Sequence, residues 1–252
     1  MSNPTAAILV IGNEILSGRT QDANVQFLAQ RLGALGIAVR EVRVIPDVAE
    51  TIVGTVNELR ARFDHLFTTG GIGPTHDDIT SACVADAFGV PWEPHADSMQ
   101  ALARLFPDGQ FNAARQRMAT LPRGAIPIPN SVSVAPGFTI GNVHVMAGVP
   151  RIMRAMFDAL EPELGRFEPV RMVAVHADRL GEGSLAAGLE AIQHAHPTLD
   201  LGSYPYERPD GRRGVALVAK GTDATALASA HDSIRTLIED LGHVPVEGEP
   251  AP

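Results

Sequence analysis

Through the first two-thirds of the chain, short apolar runs alternate with segments in which apolar residues recur at helical spacing. Because parallel strands need a crossover between them, this alternation predicts an α/β fold with a mostly parallel sheet. The predicted strands lie at 6–11, 38–44, 63–69 and 143–146, and the predicted helices at 22–35, 46–62, after 78, at 95–120 and at 151–164.

A change of pattern at residues 165–169 marks a boundary between two parts of the chain. The part that follows reads as a compact α+β set of about 80 residues. Its strands are expected near 172–175, 200–204 and 214–219, and its helices at 182–195 and 223–241. We therefore predict two domains, at residues 1–167 and 168–246. The proline-rich segment 121–142 precedes this boundary and is either a turn-rich hairpin or a functional loop.

Composition excludes several classes of protein. The net charge is −9 and no basic cluster is visible, so nucleic acid is not an expected partner. No apolar run approaches the ~20 residues of a membrane span, and the run at 6–11 lacks a basic leader, so we predict no membrane partner and a cytoplasmic protein. Cys83 is the single cysteine, which excludes an internal disulfide and a zinc site made of thiolates. We expect it to be a buried, inert thiol.

The segment 68–80, Thr-Thr-Gly-Gly-Ile-Gly-Pro-Thr-His-Asp-Asp-Ile-Thr, follows a predicted strand and precedes a predicted helix. Its glycines, at 70, 71 and 73, permit backbone conformations that turn amide groups toward an anion. Asp77, Asp78 and Thr80 then stand where the helix would begin. In doubly wound sheets such loops bind ligands, so this segment predicts a site for an anion and a divalent cation.

Two other regions are expected at the same edge of the sheet, namely 12–18 after the first strand and 130–138 with 148–150 around the later strand. Glu14 alone would be a solvated turn residue, but beside Asp77 and Asp78 it suggests a metal that bridges a phosphate. By default, Asp77 is a helix N-cap and Asp78 a favourable charge in the first turn, and at least one is expected to play that role. Thr75 is likewise an ordinary capping residue by default, as is Thr80.

Common nucleotide and hydrolase motifs are missing from the sequence. It contains no phosphate loop ending in Gly-Lys-Ser/Thr, no Gly-x-Gly-x-x-Gly after the first strand, and no Gly-x-Ser-x-Gly nucleophile elbow. His76 lies inside the glycine loop beside Asp77 and is a candidate contact to a phosphate or a base. The loop itself is therefore the most informative motif.

With these motifs in view, the chain resembles the MoaB/Mog family of molybdopterin-binding domains. The resemblance rests on residues 12–18, Gly-Asn-Glu-Ile-Leu-Ser-Gly, and on residues 69–80. Within that family the chain is most similar to the N-terminal domain of competence/damage-inducible protein A (CinA) and to the molybdopterin-binding-like domain of eukaryotic FAD synthase. That closer likeness rests on residues 20–24, the His76 variant of the loop, and the segments 142–143, 148–150 and 202–205. It covers about residues 5–242.

The resemblance implies a three-layer α/β/α domain followed by a small α+β domain of the CinA-like, KH type. It also implies a pterin or adenine-nucleotide ligand, a divalent metal (Mg²⁺, Mn²⁺ or Co²⁺) and assembly into dimers or trimers. Asp77 and Asp78 would be catalytic, and together with Glu14 they would hold the metal. The ligand-binding residues predicted from the converging loops and the resemblance are Gly12, Glu14, Asn24, Thr69, Gly70, Gly71, Gly73, Pro74, Thr75, His76, Asn130, Ala135, Pro136, Gly137, Gly148 and Pro150.

Three functions follow from the resemblance. The first is metal-dependent hydrolysis of a nucleotide diphosphate such as FAD or ADP-ribose. The second is adenylylation of molybdopterin, which would use the same loop with ATP. The third is a non-catalytic nucleotide sensor, an alternative that stays open because Asn13 stands where the family usually has Asp.

Overall fold

The fold is taken from a computed structural model, which describes residues 3–107 and 109–250. The chain forms two compact units, with the boundary between Phe167 and Glu168. The strands of the first unit are β1 (Thr5–Ile11), β2 (Ala38–Ile45), β3 (His65–Thr69), β4 (Trp92–Pro94), β5 (Thr120–Pro122), β6 (Ile126–Ile128), β7 (Gly137–Ile140) and β8 (Val143–Met146). Its helices are α1 (Asn13–Leu16), α2 (Asn24–Ala34), α3 (Ala49–Arg62), α4 (Thr80–Phe88), α5 (Ala96–Ala103), α6 (Ala113–Arg117) and α7 (Pro150–Leu160).

A six-stranded sheet in the order β2-β1-β3-β8-β7-β6 forms the centre of the first unit. The four strands β2, β1, β3 and β8 run parallel, whereas β7 is antiparallel to both of its neighbours. The predicted mostly parallel sheet is therefore confirmed. Within 121–142 the hairpin alternative holds for β6 and β7, and the segment between them forms a loop.

Helices cover both faces of this sheet. On one face, α3 and α4 pack against alternate strand residues such as Leu9 and Val145. On the other face, α2 and α7 pack against the residues in between, such as Ile8 and Phe67. Because β1 is buried on both sides, it reads in the sequence as a continuous apolar run. The three-layer α/β/α arrangement expected from the family is confirmed.

The second unit is an α+β set. Its strands are β9 (Arg171–Asp178), β10 (Asp200–Glu207), β11 (Arg213–Gly221) and β12 (Val246–Glu247), and its helices are α8 (Glu182–Ala195) and α9 (Ala224–Asp240). The strands pair antiparallel in the order β10-β11-β9-β12, and both helices contribute to one core against the sheet. The short β12 is absent from the sequence prediction. None of the described helices is long and apolar enough to cross a membrane.

A buried histidine pair lies in the sheet of the first unit. His144 on β8 is only 5% exposed, and its ring stacks on Phe67 with the centroids 4.8 Å apart. Its Nε2 lies 3.1 Å from Nδ1 of His65, and its Nδ1 lies 3.0 Å from the hydroxyl of Thr139. Burial, followed by the nearby His65, lowers the pKa of His144 to about 3.

Because the pKa of His144 is lowered in the folded protein, we expect the free energy of unfolding to fall in mild acid. In the unfolded chain His144 takes up a proton near pH 6.5, whereas the folded protein resists protonation down to about pH 3, so its contribution is complete above pH 6.5 and declines as the pH falls. The expected loss in the free energy of unfolding at pH 5 is about 2 kcal/mol. Urea unfolding between pH 7.5 and pH 5 measures it. His144→Gln should flatten the dependence and the exposed-site control His76→Gln should not; an unchanged slope in His144→Gln would contradict the assignment.

Candidate functional site

Three adjacent parallel strands, β1, β3 and β8, end at the same edge of the sheet. The segments that follow them enclose a cavity of about 640 Å³, whose wall also includes Ser133, Ala135 and Pro136. This volume lies within the range of small-molecule binding pockets. The cavity is therefore the candidate functional site, at the position that strand topology predicts for an α/β sheet.

The first glycines of the loop after β3 are required by its shape. Gly70 has φ +104° and Gly71 has φ +67°, which is backbone that residues with a side chain rarely adopt. A Cβ on Gly70 would lie 2.1 Å from the carbonyl oxygen of Ile11, and one on Gly71 would lie 2.1 Å from the hydroxyl oxygen of Thr80. The Gly70 amide donates to the carbonyl of Met146 at 3.1 Å. The loop thus packs against β1, β8 and the start of α4 at once.

Several backbone amides of this loop have no hydrogen-bond partner in the described part of the chain. The backbone N–H groups of Gly71, Ile72 and Gly73 donate to no other described residue, and all three residues line the cavity. Backbone amides in succession form a concave site that favours an anion. The loop therefore offers donors for a phosphate or diphosphate group.

The acidic residues of the site separate into two groups. Glu14 and Asp78 line the cavity, whereas Asp77 does not, and the Asp77 side chain is 61% exposed. Thr75 contacts both aspartates. Its hydroxyl oxygen lies 2.6 Å from Oδ1 of Asp77 and also within hydrogen-bond distance of Oδ2 of Asp78, so that one proton is shared between them, and its amide donates to Oδ2 of Asp78 at 2.8 Å. The Thr75 hydroxyl is the main cause that lowers the pKa of Asp77.

The expectation that one aspartate caps the following helix is wrong. Helix α4 begins at Thr80 with Ile79 as its N-cap, and no side chain caps it. Asp77 and Asp78 lie before that position, and Thr75 bonds to them instead of to the helix. The carboxylate of Asp78 is therefore not committed to the helix end.

The expected metal ligands are not assembled into one centre. Within the described ranges, no group of three or more His, Cys, Asp or Glu side chains lies close enough to hold a metal ion. Asp77 accepts a hydrogen bond from Thr75 and does not line the cavity. Glu14 and Asp78 remain as the acidic pair of the cavity.

Most of the predicted ligand-binding residues are brought together. Those that line the cavity are Glu14, Gly70, Gly71, Gly73, Pro74, Ala135, Pro136, Gly148 and Pro150. Those outside the lining are Gly12, Asn24, Thr69, Thr75, His76, Asn130 and Gly137. The His76 side chain is 98% exposed and does not line the cavity.

Two of the outer residues hold the backbone of the wall. Asn24 is buried and donates from Nδ2 to the carbonyl of Gly148 at 2.7 Å. Asn130 donates from Nδ2 to the carbonyl of Ala135 at 2.6 Å. Gly12 lies beside the Glu14 carboxylate, 2.7 Å from which a Cβ at position 12 would fall. Asn24 and Asn130 thus hold the cavity wall without lining it.

Two further predicted residues are buried in the sheet. A Cβ on Gly137 would lie 2.4 Å from the carbonyl oxygen of Val145, so this glycine allows β7 and β8 to approach each other. Thr69, at the end of β3, is buried, and its hydroxyl has no hydrogen-bond partner among the described residues.

Cys83 is also buried, and burial raises the pKa of its thiol to about 11, as expected for an inert cysteine.

Apolar side chains that the sequence did not single out complete the wall. They come from α5, the turn after it, the residue after α6, and α7, and they are Leu102, Phe106, Met118, Ile152 and Met156. The Phe106 ring stacks on Phe111 with the centroids 6.1 Å apart. Helical periodicity assigns such residues to a core, so the pattern alone does not distinguish a cavity wall from a packed interior.

Family models match both units. A probable molybdopterin binding domain matches residues 7–166, and the middle domain of FAD synthase matches residues 173–247. The fold and the site thus define a molybdopterin-binding-type α/β domain joined to a small α+β domain. The chain belongs to the molybdopterin-binding-domain family, in its CinA-like and FAD-synthase-like branch.

Individual relatives agree with this assignment. A protein of Pyrobaculum calidifontis is 36% identical over 214 residues, which cover 80% of this chain and 81% of that protein. A probable FAD synthase of Caenorhabditis elegans is 34% identical over 227 residues, which cover 80% of this chain but only 44% of the worm protein. The crystal structure of CinA from Thermoplasma acidophilum, a protein with unknown function, has 30% identity and a TM-score of 0.62; the match covers 65% of this chain and 99% of that one. The resemblance predicted from the motifs is confirmed.

Proposed function

We propose that the chain binds a nucleotide diphosphate in the cavity and hydrolyses it, with FAD and ADP-ribose as the substrates to test first. The observation that carries the proposal is the composition of the cavity lining. It combines the residues 71–73, whose amides have no described partner, with two carboxylates and a group of apolar side chains. A ligand with an anionic diphosphate and a flat ring matches these three features.

The residues of the chain divide the chemistry as follows. The amides of residues 71–73 hold the diphosphate and stabilise charge that develops on it. Asp78, fixed by the Thr75 amide, orients a water and accepts its proton. The water oxygen forms a bond to one phosphorus, the bond from that phosphorus to the bridging oxygen breaks, and two monophosphates leave. FAD would give AMP and FMN, and ADP-ribose would give AMP and ribose 5-phosphate.

We infer that a divalent metal would bind this site only together with the substrate. Mg²⁺ is commonly held by one or two carboxylates with substrate phosphates and water, and Glu14 and Asp78 supply such a pair. A centre made of three protein carboxylates does not fit, because Asp77 lies outside the wall. When bound, the metal would supply Lewis-acid stabilisation and an acidified water.

The test is turnover by the purified protein with FAD and with ADP-ribose, each in Mg²⁺, Mn²⁺, Co²⁺ or a chelator. We expect AMP in equal amount to the second product, with a metal and not with the chelator. No product from either substrate with any metal would refute hydrolysis.

Molybdopterin adenylylation is the second candidate, because the family model describes a probable molybdopterin binding domain. Release of pyrophosphate only when ATP and molybdopterin are both present would favour it over hydrolysis. Tight ligand binding without any product would favour a sensor. Assembly into a dimer or trimer and a cytoplasmic location remain predictions.

The apolar part of the wall predicts a selective effect on ligand affinity. Phe106→Ala should raise KM for FAD about 10-fold, because an aromatic surface beside the ligand is lost. Steady-state kinetics measure this, with Leu105→Ala as the control, since Leu105 is exposed and lies outside the cavity wall. Equal KM values in Phe106→Ala and wild type would show that the Phe106 ring does not contact bound FAD.

A further inference from the structure

Arg117, the last residue of α6, lies behind the aspartate end of the glycine loop. Its Nη2 donates to the backbone carbonyl of Asp78 at 3.1 Å, and its guanidinium carbon lies 5.5 Å from the ring centroid of Trp92. The Trp92 indole is itself fixed, because Nε1 lies 3.0 Å from the hydroxyl of Ser81 and donates to the carbonyl of Thr120 at 2.8 Å. Arg117 thus connects a rigid aromatic surface to the backbone of Asp78.

In the part of the chain that the structure describes, the guanidinium is hydrogen-bonded to a backbone carbonyl and is not paired with a carboxylate. Among the described residues no Asp or Glu side chain forms an ion pair with it, and its Nε is buried without a hydrogen-bond partner. Arg117 and Trp92 line a small cavity of about 10 Å³ whose wall also contains Gly73 and Asp78. Gly73 and Asp78 belong to the wall of the large cavity as well. The guanidinium therefore lies behind a wall that the ligand site shares, one loop away from the large cavity.

The charges that line the large cavity suggest what the Arg117 guanidinium does beside it. Its wall contains Glu14 and Asp78 but no Arg or Lys. Two carboxylates and a bound diphosphate would repel one another at short range, since like charges in a partly buried site interact strongly. A cation that holds the backbone of Asp78 counters that repulsion and keeps the carboxylate in place.

We propose that Arg117 is a positioning residue: it fixes Asp78 through the backbone carbonyl and supplies the positive charge that the cavity wall lacks. It acts through Asp78 and does not touch the ligand. The kinetic part of this proposal rests on the proposed hydrolase function, whereas the structural part does not.

Hydrogen exchange tests the structural part without any ligand. In Arg117→Gln, the hydrogen-bonded amides of Thr75, Asp78 and Ile79 should exchange about 10-fold faster than in wild type, because the hydrogen bond from Arg117 to the Asp78 carbonyl is lost. Arg123→Gln is the matched control, since Arg123 pairs with Glu93 and contacts no part of the loop. Arg117→Lys keeps the positive charge but lacks the planar guanidinium that stacks on Trp92, so exchange should be about 3-fold faster than in wild type. This variant replaces Arg117→Gln in the test if the Gln variant does not fold. Unchanged exchange in both Arg117 variants would overturn the proposal.

Steady-state kinetics with FAD test the kinetic part. Arg117→Gln should lower kcat about 10- to 100-fold while KM stays within about 3-fold, because a displaced Asp78 impairs the reaction more than it impairs binding. Arg117→Lys should recover part of kcat, and Arg123→Gln should match wild type. A loss confined to KM, or no loss, would overturn a positioning role. If wild type itself shows no turnover, the hydrolase proposal fails and the exchange result alone decides the role of Arg117.

Discussion

Asp78→Asn is expected to lower kcat/KM for FAD at least about 10³-fold, with the fold intact. Asp78 is the aspartate of the loop that lines the cavity, and its carboxylate is oriented by the Thr75 amide at 2.8 Å. The amide oxygen of Asn can still accept that hydrogen bond, but it cannot accept a proton from water. The rate of AMP release and the circular dichroism spectrum together measure the effect.

Asp77→Asn is the matched control for this prediction. The Asp77 side chain lies outside the cavity wall and is 61% exposed, so its replacement should cost no more than about 10-fold in kcat/KM. A wild-type rate in Asp78→Asn would remove that residue from the mechanism. Equal losses in the two variants would mean that the aspartates act as a pair, contrary to their different positions here.

Gly70→Ala is expected to destabilise the protein by about 4 kcal/mol or to prevent folding. Gly70 has φ +104°, and a Cβ there would lie 2.1 Å from the carbonyl oxygen of Ile11 in the neighbouring strand. Because both atoms are held by the sheet, relief requires β1 and β3 to separate. Urea unfolding of the variant measures the loss.

Gly124→Ala separates backbone strain from this contact. Gly124 also has positive φ, at +84°, but a Cβ there would meet no atom within 4 Å. Its replacement should cost about 1 kcal/mol, which is the price of the conformation alone. Similar losses at Gly70 and Gly124 would show that the approach to Ile11 is not the cause.

Much of the fold was predictable because burial leaves a clear pattern. The buried strand β1 is a continuous apolar run, and the helix face that carries Met153 and Phe157 repeats at helical spacing. Short strands such as β4 and β12 were missed, since two or three residues carry too little pattern and depend on a distant partner. The number of strands was therefore less predictable than the parallel arrangement of the long strands in the central sheet.

The site was predictable to the level of its loops. The rule that carboxyl ends of parallel strands share a ligand brought Glu14, the glycine loop and Gly148 together correctly. That Asp78 lines the cavity and Asp77 does not was not predictable, because two adjacent residues of the same type carry no pattern that says which of them faces a ligand. Phe106 and Arg117 were missed for a related reason: their contacts join segments that are far apart in the sequence.

The most direct test of the central claim is a crystal structure of the Asp78→Asn variant with ADP-ribose and Mg²⁺. The variant should turn over slowly enough for the intact ligand to be trapped. We predict that the diphosphate lies against the amides of Gly71, Ile72 and Gly73, with the Mg²⁺ beside Glu14. A ligand bound outside this cavity, or a diphosphate that makes no contact with these amides, would contradict it.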